Sequence, residues 1–190
     1  MTEQHERSAR RRPKLDNSEL VKTGFWVGQI FMLIATVLGV YLASQQGLSQ
    51  AIAFSDLDDM QKNYYLRRSL HDELADNIQV VRDYIKTVKE DKPYDLKRYH
   101  PQLQFFVWDT MKYNPNTLQT PSVYLSAVRR YYSEIEYLIN RGEHRTYGRD
   151  YFLGLLAKST DKVEESTLKT LANNTDTLKA NLAKQGVSVE

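Results

Sequence analysis

Residues 24–43, GFWVGQIFMLIATVLGVYLA, carry no charge, and Gln29, Thr36 and Tyr41 are their only polar side chains. Twenty helical residues rise about 30 Å, the thickness of a bilayer's hydrocarbon core. The stretch therefore predicts a single N-terminal transmembrane helix. Downstream the pattern changes to a stripe. From Leu57 the inner row reads Leu57, Met60, Tyr64, Arg67, His71, Leu74, Ile78, Val81, Ile85 and Val88, with spacings of 3 and 4 in alternation. That is a coiled-coil-type seam on a long stalk helix.

Two readings of the join stay open. No proline occurs between Lys14 and Pro93, which permits one helix from the membrane to about Lys89. Ser55-Asp56-Leu57-Asp58-Asp59 is a helix-start signature, however, and favours a break near Gly47 with a new helix at Ser55. Pro93 then marks a connection. A second helix is expected from His100-Pro101 to Tyr113, ended by Asn114-Pro115-Asn116. A third opens at Pro121-Ser122, carries Leu125, Val128, Tyr132, Ile135 and Ile139, and is terminated by Gly142. A fourth starts within 143–147, with Phe152, Leu155 and Leu156 apolar, and continues more weakly through Val163, Leu168 and Leu171. Asn173-Asn174 is a candidate break before Leu178 and Leu182. With no strand-like alternation, the fold class is all-α: transmembrane helix, stalk helix and antiparallel helical bundle. The domains are a basic cytoplasmic tail (1–23), the span (24–43), an exported bundle (44–186) and a frayed C-terminus (187–190).

Charge orients this arrangement. The chain has 26 Lys+Arg against 24 Asp+Glu. Residues 1–23 hold six basic and four acidic side chains, which leaves 20 of each sign elsewhere. A neutral outer domain gives no electrostatic case for nucleic acid. No Lys or Arg lies between Thr23 and Gln61, so the positive-inside rule puts the N-terminus in the cytoplasm. The C-terminal domain is then periplasmic or extracellular, on the inner (cytoplasmic) membrane. Arg10-Arg11-Arg12-Pro13-Lys14 reads as topogenic, with anionic lipid or nucleic acid as the other reading. A cleaved signal peptide would have a shorter apolar core and a small residue where Tyr41 stands, so the span reads as a retained anchor.

Within the span, Gly24, Gly28, Ala35, Gly39 and Ala43 share a face with Met32. Small residues let helix backbones approach closely in lipid, so this face predicts docking on a membrane-protein partner or a homodimer. In the seam, Arg67 and His71 stand one turn apart at inner positions. They are either a polar ligand or pH-sensing site in the bundle, or bystanders where Leu66 and Leu70 take over the core. A small ligand stays open, since thirteen tyrosines either line a pocket or pack a thin bundle with hydroxyls reaching water.

Catalytic constellations are missing from the sequence. There is no cysteine, G-x-S-x-G, phosphate loop, H-E-x-x-H or EF-hand loop. His5, His71, His100 and His144 lie far apart in sequence. Neither an enzyme, a metal nor a cofactor is expected. Trp108-Asp109-Thr110-Met111, a turn and Tyr131-Tyr132-x-x-Ile135 give residues 20–140 a pattern that resembles a group of small, uncharacterised bacterial proteins. These have one N-terminal span, a long helix and an exported helical domain. The resemblance implies that architecture and no activity or site residue. The functional expectation is an accessory, scaffold or assembly component of a membrane complex, with a ligand-sensing bundle that signals through a membrane partner as the alternative.

Overall fold

A computed structural model describes residues 23–189, so most of the basic tail lies outside the described residues. These residues are all-helical, with no strand among them. The elements are α1 (Thr23–Asp91), α2 (Phe106–Met111), α3 (Ser122–Glu143), α4 (Arg149–Val163) and α5 (Lys169–Lys184). Short 3₁₀ turns occupy Leu96–Tyr99 and Pro115–Gln119, and a π turn at Glu164–Leu168 joins α4 to α5. The chain divides into two compact units, Met1–Ile52 and Ala53–Glu190.

α1 is helical throughout its 69 residues, so neither Gly47 nor Ser55 interrupts it. The cap signature at Ser55 is overridden because no proline forces an end there, and a Ser inside a helix can turn its hydroxyl back on the preceding turn. Ser49 does so, donating to the Gln45 carbonyl at 3.0 Å. In the first unit the described side chains are exposed apart from half-buried Phe25. Phe31, Met32, Leu33 and Val40 are each more than 60% exposed. Thr36 donates to the Met32 carbonyl at 2.8 Å, which satisfies its hydroxyl within the helix.

In the second unit α1 contributes a buried stripe that includes Leu70, Leu74, Ile78, Val81 and Val88. It meets Val128, Ile135 and Ile139 of α3, and Phe152, Leu156 and Leu171 from the α4–α5 run. A second cluster joins Tyr64 to Leu182 and Val189, with half-buried Val187 packed against it, so these two valines of the segment expected to fray touch the core. Tyr132 is an aromatic hub. The rings of Phe105 and Trp108 stand edge-on to it at 4.9 and 6.0 Å.

Four boundaries differ from the sequence expectation, each for a local reason. α2 begins at Phe106, not at His100-Pro101, and ends at Met111, not Tyr113. Residue 104 is held out of the helix by Asn77, whose side chain donates to the Gln104 carbonyl (2.6 Å) and accepts from its amide (2.8 Å). α3 does not end on Gly142. Its closing turn pairs the Arg145 amide with the Gly142 carbonyl (2.9 Å) and the Thr146 amide with the Arg141 carbonyl (2.9 Å). Arg145 therefore takes the left-handed position, at φ 55°, that glycine usually fills. This closing turn also delays α4 to Arg149. Asn173-Asn174 lies inside α5 and breaks nothing. The π turn follows from spacing. Val163, Thr167, Leu171 and Thr175 are buried at intervals of four, and a straight α-helix would carry such a row about 40° further round at each step. The wide turn absorbs that drift, and hydroxyls bridge it: Ser166 donates to the Lys162 carbonyl and Thr170 to the Ser166 carbonyl.

Gly142 has a packing role instead. A Cβ there would stand 2.7 Å from the ring of fully buried Phe152. Gly142→Val should therefore lower stability in urea by about 2 kcal/mol. Gly154→Ala, in open space on α4, should be neutral or gain up to about 1 kcal/mol. Equal midpoints for the two variants would refute the close-packing role.

Candidate functional site

The core of the second unit contains polar side chains that the apolar stripe does not explain. Asn63, Arg67, Glu73 and Asn77 are all on α1, and none is more than 7% exposed. Their spacing of 4, 6 and 4 keeps them near one side of the helix, facing the irregular segment 101–121. What they bind is mostly backbone. Glu73 accepts from the Val107 amide at 2.6 Å and the Trp108 amide at 3.0 Å. These are orphan amides of α2's first turn, and Phe105 offers them no side-chain cap. Glu73 thus caps α2 from another helix, with its charge at the positive end of the α2 dipole.

Asn77 mimics a peptide group against Gln104 and also donates to the Tyr132 hydroxyl at 3.1 Å. Arg67 donates to the Gln119 carbonyl at 2.5 Å and to Asn174 Oδ1 at 2.8 Å. Asn63 donates to the Gln119 side chain and to the Asp59 carbonyl. Together the four residues fasten the 104–119 segment to α1, and Arg67 also ties in α5.

Electrostatics reflect this burial. Desolvation pushes the Glu73 carboxyl up from its ordinary range against the opposing pull of the two amides and Tyr132. It also pushes the Arg67 guanidinium down, against a smaller upward effect of Tyr124. Burial raises the phenols of Tyr84 and Tyr131 to about 12. Neither supplies a tyrosinate near neutrality. Among the described residues no group of three or more His, Asp or Glu side chains converges to hold a metal.

The sequence-designated residues separate. Arg67 is buried, while His71 is half-buried and bonds Asp72 Oδ1 at 2.8 Å through its Nδ1. Among the described residues Arg67 and His71 share no hydrogen-bond partner. Leu70 is fully buried and Leu66 half-buried, so both enter the core beside Arg67. On the first unit, a Cβ added to Gly24, Gly28 or Gly39 meets nothing within 4 Å, and Ala35 and Ala43 are exposed. Sequence reading missed Glu73 and Asn77 because both stand outside the 3–4 seam. Their signal was available only as polar residues flanking Leu74 and Ile78. Comparison with protein-family models, with curated proteins and with solved structures found no match.

Glu73→Gln keeps one acceptor but turns an NH₂ toward a backbone amide. It should cost about 1–3 kcal/mol of unfolding free energy. The pH sign follows from the raised carboxyl: the folded state holds its proton more tightly, so this contribution is full below the ordinary pKa of 4.5 and fades as pH rises through the folded value. Urea titrations of both proteins between pH 4 and 7 should show the wild-type advantage shrinking as pH rises. A widening gap would refute it.

Proposed function

We propose that this chain is a single-pass, membrane-anchored helical protein that serves as an accessory, scaffold or assembly component of a membrane complex. One observation carries the reading. α1 is long and apolar enough to cross a membrane, and its 24–43 segment has no protein covering it among the described residues. Helical backbone satisfies its own amides, as hydrocarbon demands, and Thr36 does the same with its hydroxyl. Trp26 and Tyr41 stand near the two ends, where aromatic anchors favour the interface. The run of Lys and Arg before the span favours a cytoplasmic N-terminus and an exported helical bundle.

The second unit supports an accessory role over a sensing one. Its buried polar side chains on α1 bond mostly to its own backbone, with Glu73 accepting from the Val107 and Trp108 amides and Arg67 donating to the Gln119 carbonyl. The small-residue face of the span is the proposed route to a membrane partner or a second copy.

The protein should fractionate with membranes and resist extraction by salt and alkaline carbonate. Leu33→Arg with Leu38→Arg, each about 3 kcal/mol unfavourable at a span centre, should move it to the soluble fraction. Gly28→Ile and Gly39→Ile should retain membrane association but weaken recovery of the complex by crosslinking. Soluble wild-type protein would overturn the anchor, and unchanged crosslinking in both glycine variants would overturn the packing face.

A further inference from the structure

The junction that follows the 3₁₀ turn Pro115–Gln119 gathers buried polar atoms that the protein itself does not satisfy. Proline disfavours helical backbone at the residue before it, and Thr120, ahead of Pro121, is extended at φ −80° and ψ 127°. Thr36, Thr110, Thr170 and Thr177 each turn a hydroxyl back onto the carbonyl four residues earlier in a helix. An extended Thr120 has no such carbonyl within reach. It is 4% exposed, and its Oγ1 has no hydrogen-bond partner among the described residues.

Two more such atoms come from α1, where Asn63 and Arg67 stand one turn apart and are both buried. Asn63 commits its Nδ2 to the Asp59 carbonyl and the Gln119 side chain, and its Oδ1 is unpartnered. The Asp59 carbonyl can only accept, which fixes that end of the amide as the nitrogen. Arg67 commits Nη1 to Asn174 and Nη2 to the Gln119 carbonyl, and its Nε is unpartnered. Both side chains thus reach Gln119, the neighbour of Thr120, so the three atoms gather around one residue. The other such atom among the described residues, the Tyr84 hydroxyl, lies beside Phe152 instead. A buried polar atom without a partner is costly, so three in one place point to a bound molecule.

We infer that this junction is a binding site for one buried water molecule, which accepts from Arg67 Nε–H and donates to Asn63 Oδ1 and Thr120 Oγ1. Three hydrogen bonds are the usual complement of a buried water. The set holds one atom that can only donate, one that can only accept and one hydroxyl that does either. Water matches that mixture, and an ion does not. An anion would face Asn63 Oδ1 and the Asp59 carboxylate, which accepts from the Gln119 side chain at 3.3 Å. A metal cation would face the Arg67 guanidinium, whose two protein partners are neutral. The water fastens the Thr120 bend to α1 and, through Arg67, to α5. It belongs to the fold of the second unit and holds with or without a membrane partner.

The test uses the full chain, labelled with ¹⁵N-arginine and held in lipid nanodiscs, and records water-selective NOE and ROE spectra at the Arg67 Nε–H. The expected result is a cross-peak at the water frequency with opposite signs in the two spectra, the mark of a water that stays bound beyond nanoseconds. Thr120→Val keeps the side chain's shape and removes the hydroxyl that could relay such a signal by exchange. The cross-peak should persist in that variant, because Arg67 and Asn63 still hold the water. Replacing chloride by gluconate in the buffer should leave the Arg67 Nε–H resonance where it is. A missing cross-peak, equal signs in the two spectra, or loss of the peak in Thr120→Val would each overturn the inference. A resonance that moves with chloride would overturn it in favour of an anion.

Discussion

The Glu73 carboxylate meeting two amides of α2 is the contact on which the second unit most depends. A buried amide without a partner is as costly as a lost hydrogen bond, so an irregular segment survives against a core only if something satisfies its backbone. Residues 101–121 are such a segment. They run from Pro101 through a six-residue helix and a 3₁₀ turn, too short to satisfy themselves. α1 supplies what they lack through Glu73, Asn77, Arg67 and Asn63. The segment in turn carries Phe105 and Trp108 to the Tyr132 ring, which joins it to α3. One helix thus acts both as a hydrophobic wall and as a source of backbone partners.

That dual role explains what the sequence disclosed and what it hid. The long helix, α3 and the α4–α5 run were legible because each repeats apolar residues at 3–4 spacing, as in Leu74, Ile78, Val81 and Ile135, Leu138, Ile139. The start of α2 was not, because Pro101 is comfortable in a first helical turn and nothing nearby in sequence says that Asn77 takes the Gln104 backbone. Gly142 looked like a stop signal, yet its missing side chain makes room for Phe152, a contact with no local signature. At the polar cluster, Arg67 was legible as an intruder in an apolar row, but its partners Gln119 and Asn174 are 52 and 107 residues away.

The two units use exposure in opposite ways. In the second, apolar side chains are gathered inward and the surface holds ion pairs such as Arg82 with Asp161. In the first, large apolar side chains such as Phe31 and Leu33 are exposed, the arrangement that the proposed membrane anchor calls for.

The π turn at Glu164–Leu168 has a consequence for how the chain tolerates changes in length. Val163 and Leu171 are both buried and eight residues apart, where two turns of regular helix need about seven. The segment therefore holds one residue in excess of what its packing requires. Loss of a single residue there would restore ordinary helix while leaving Leu171, Thr175 and Leu182 facing inward. Gain of one would rotate them toward solvent. Length variation among close homologues of this chain should accordingly be one-sided at this turn, with shortening admitted and lengthening excluded.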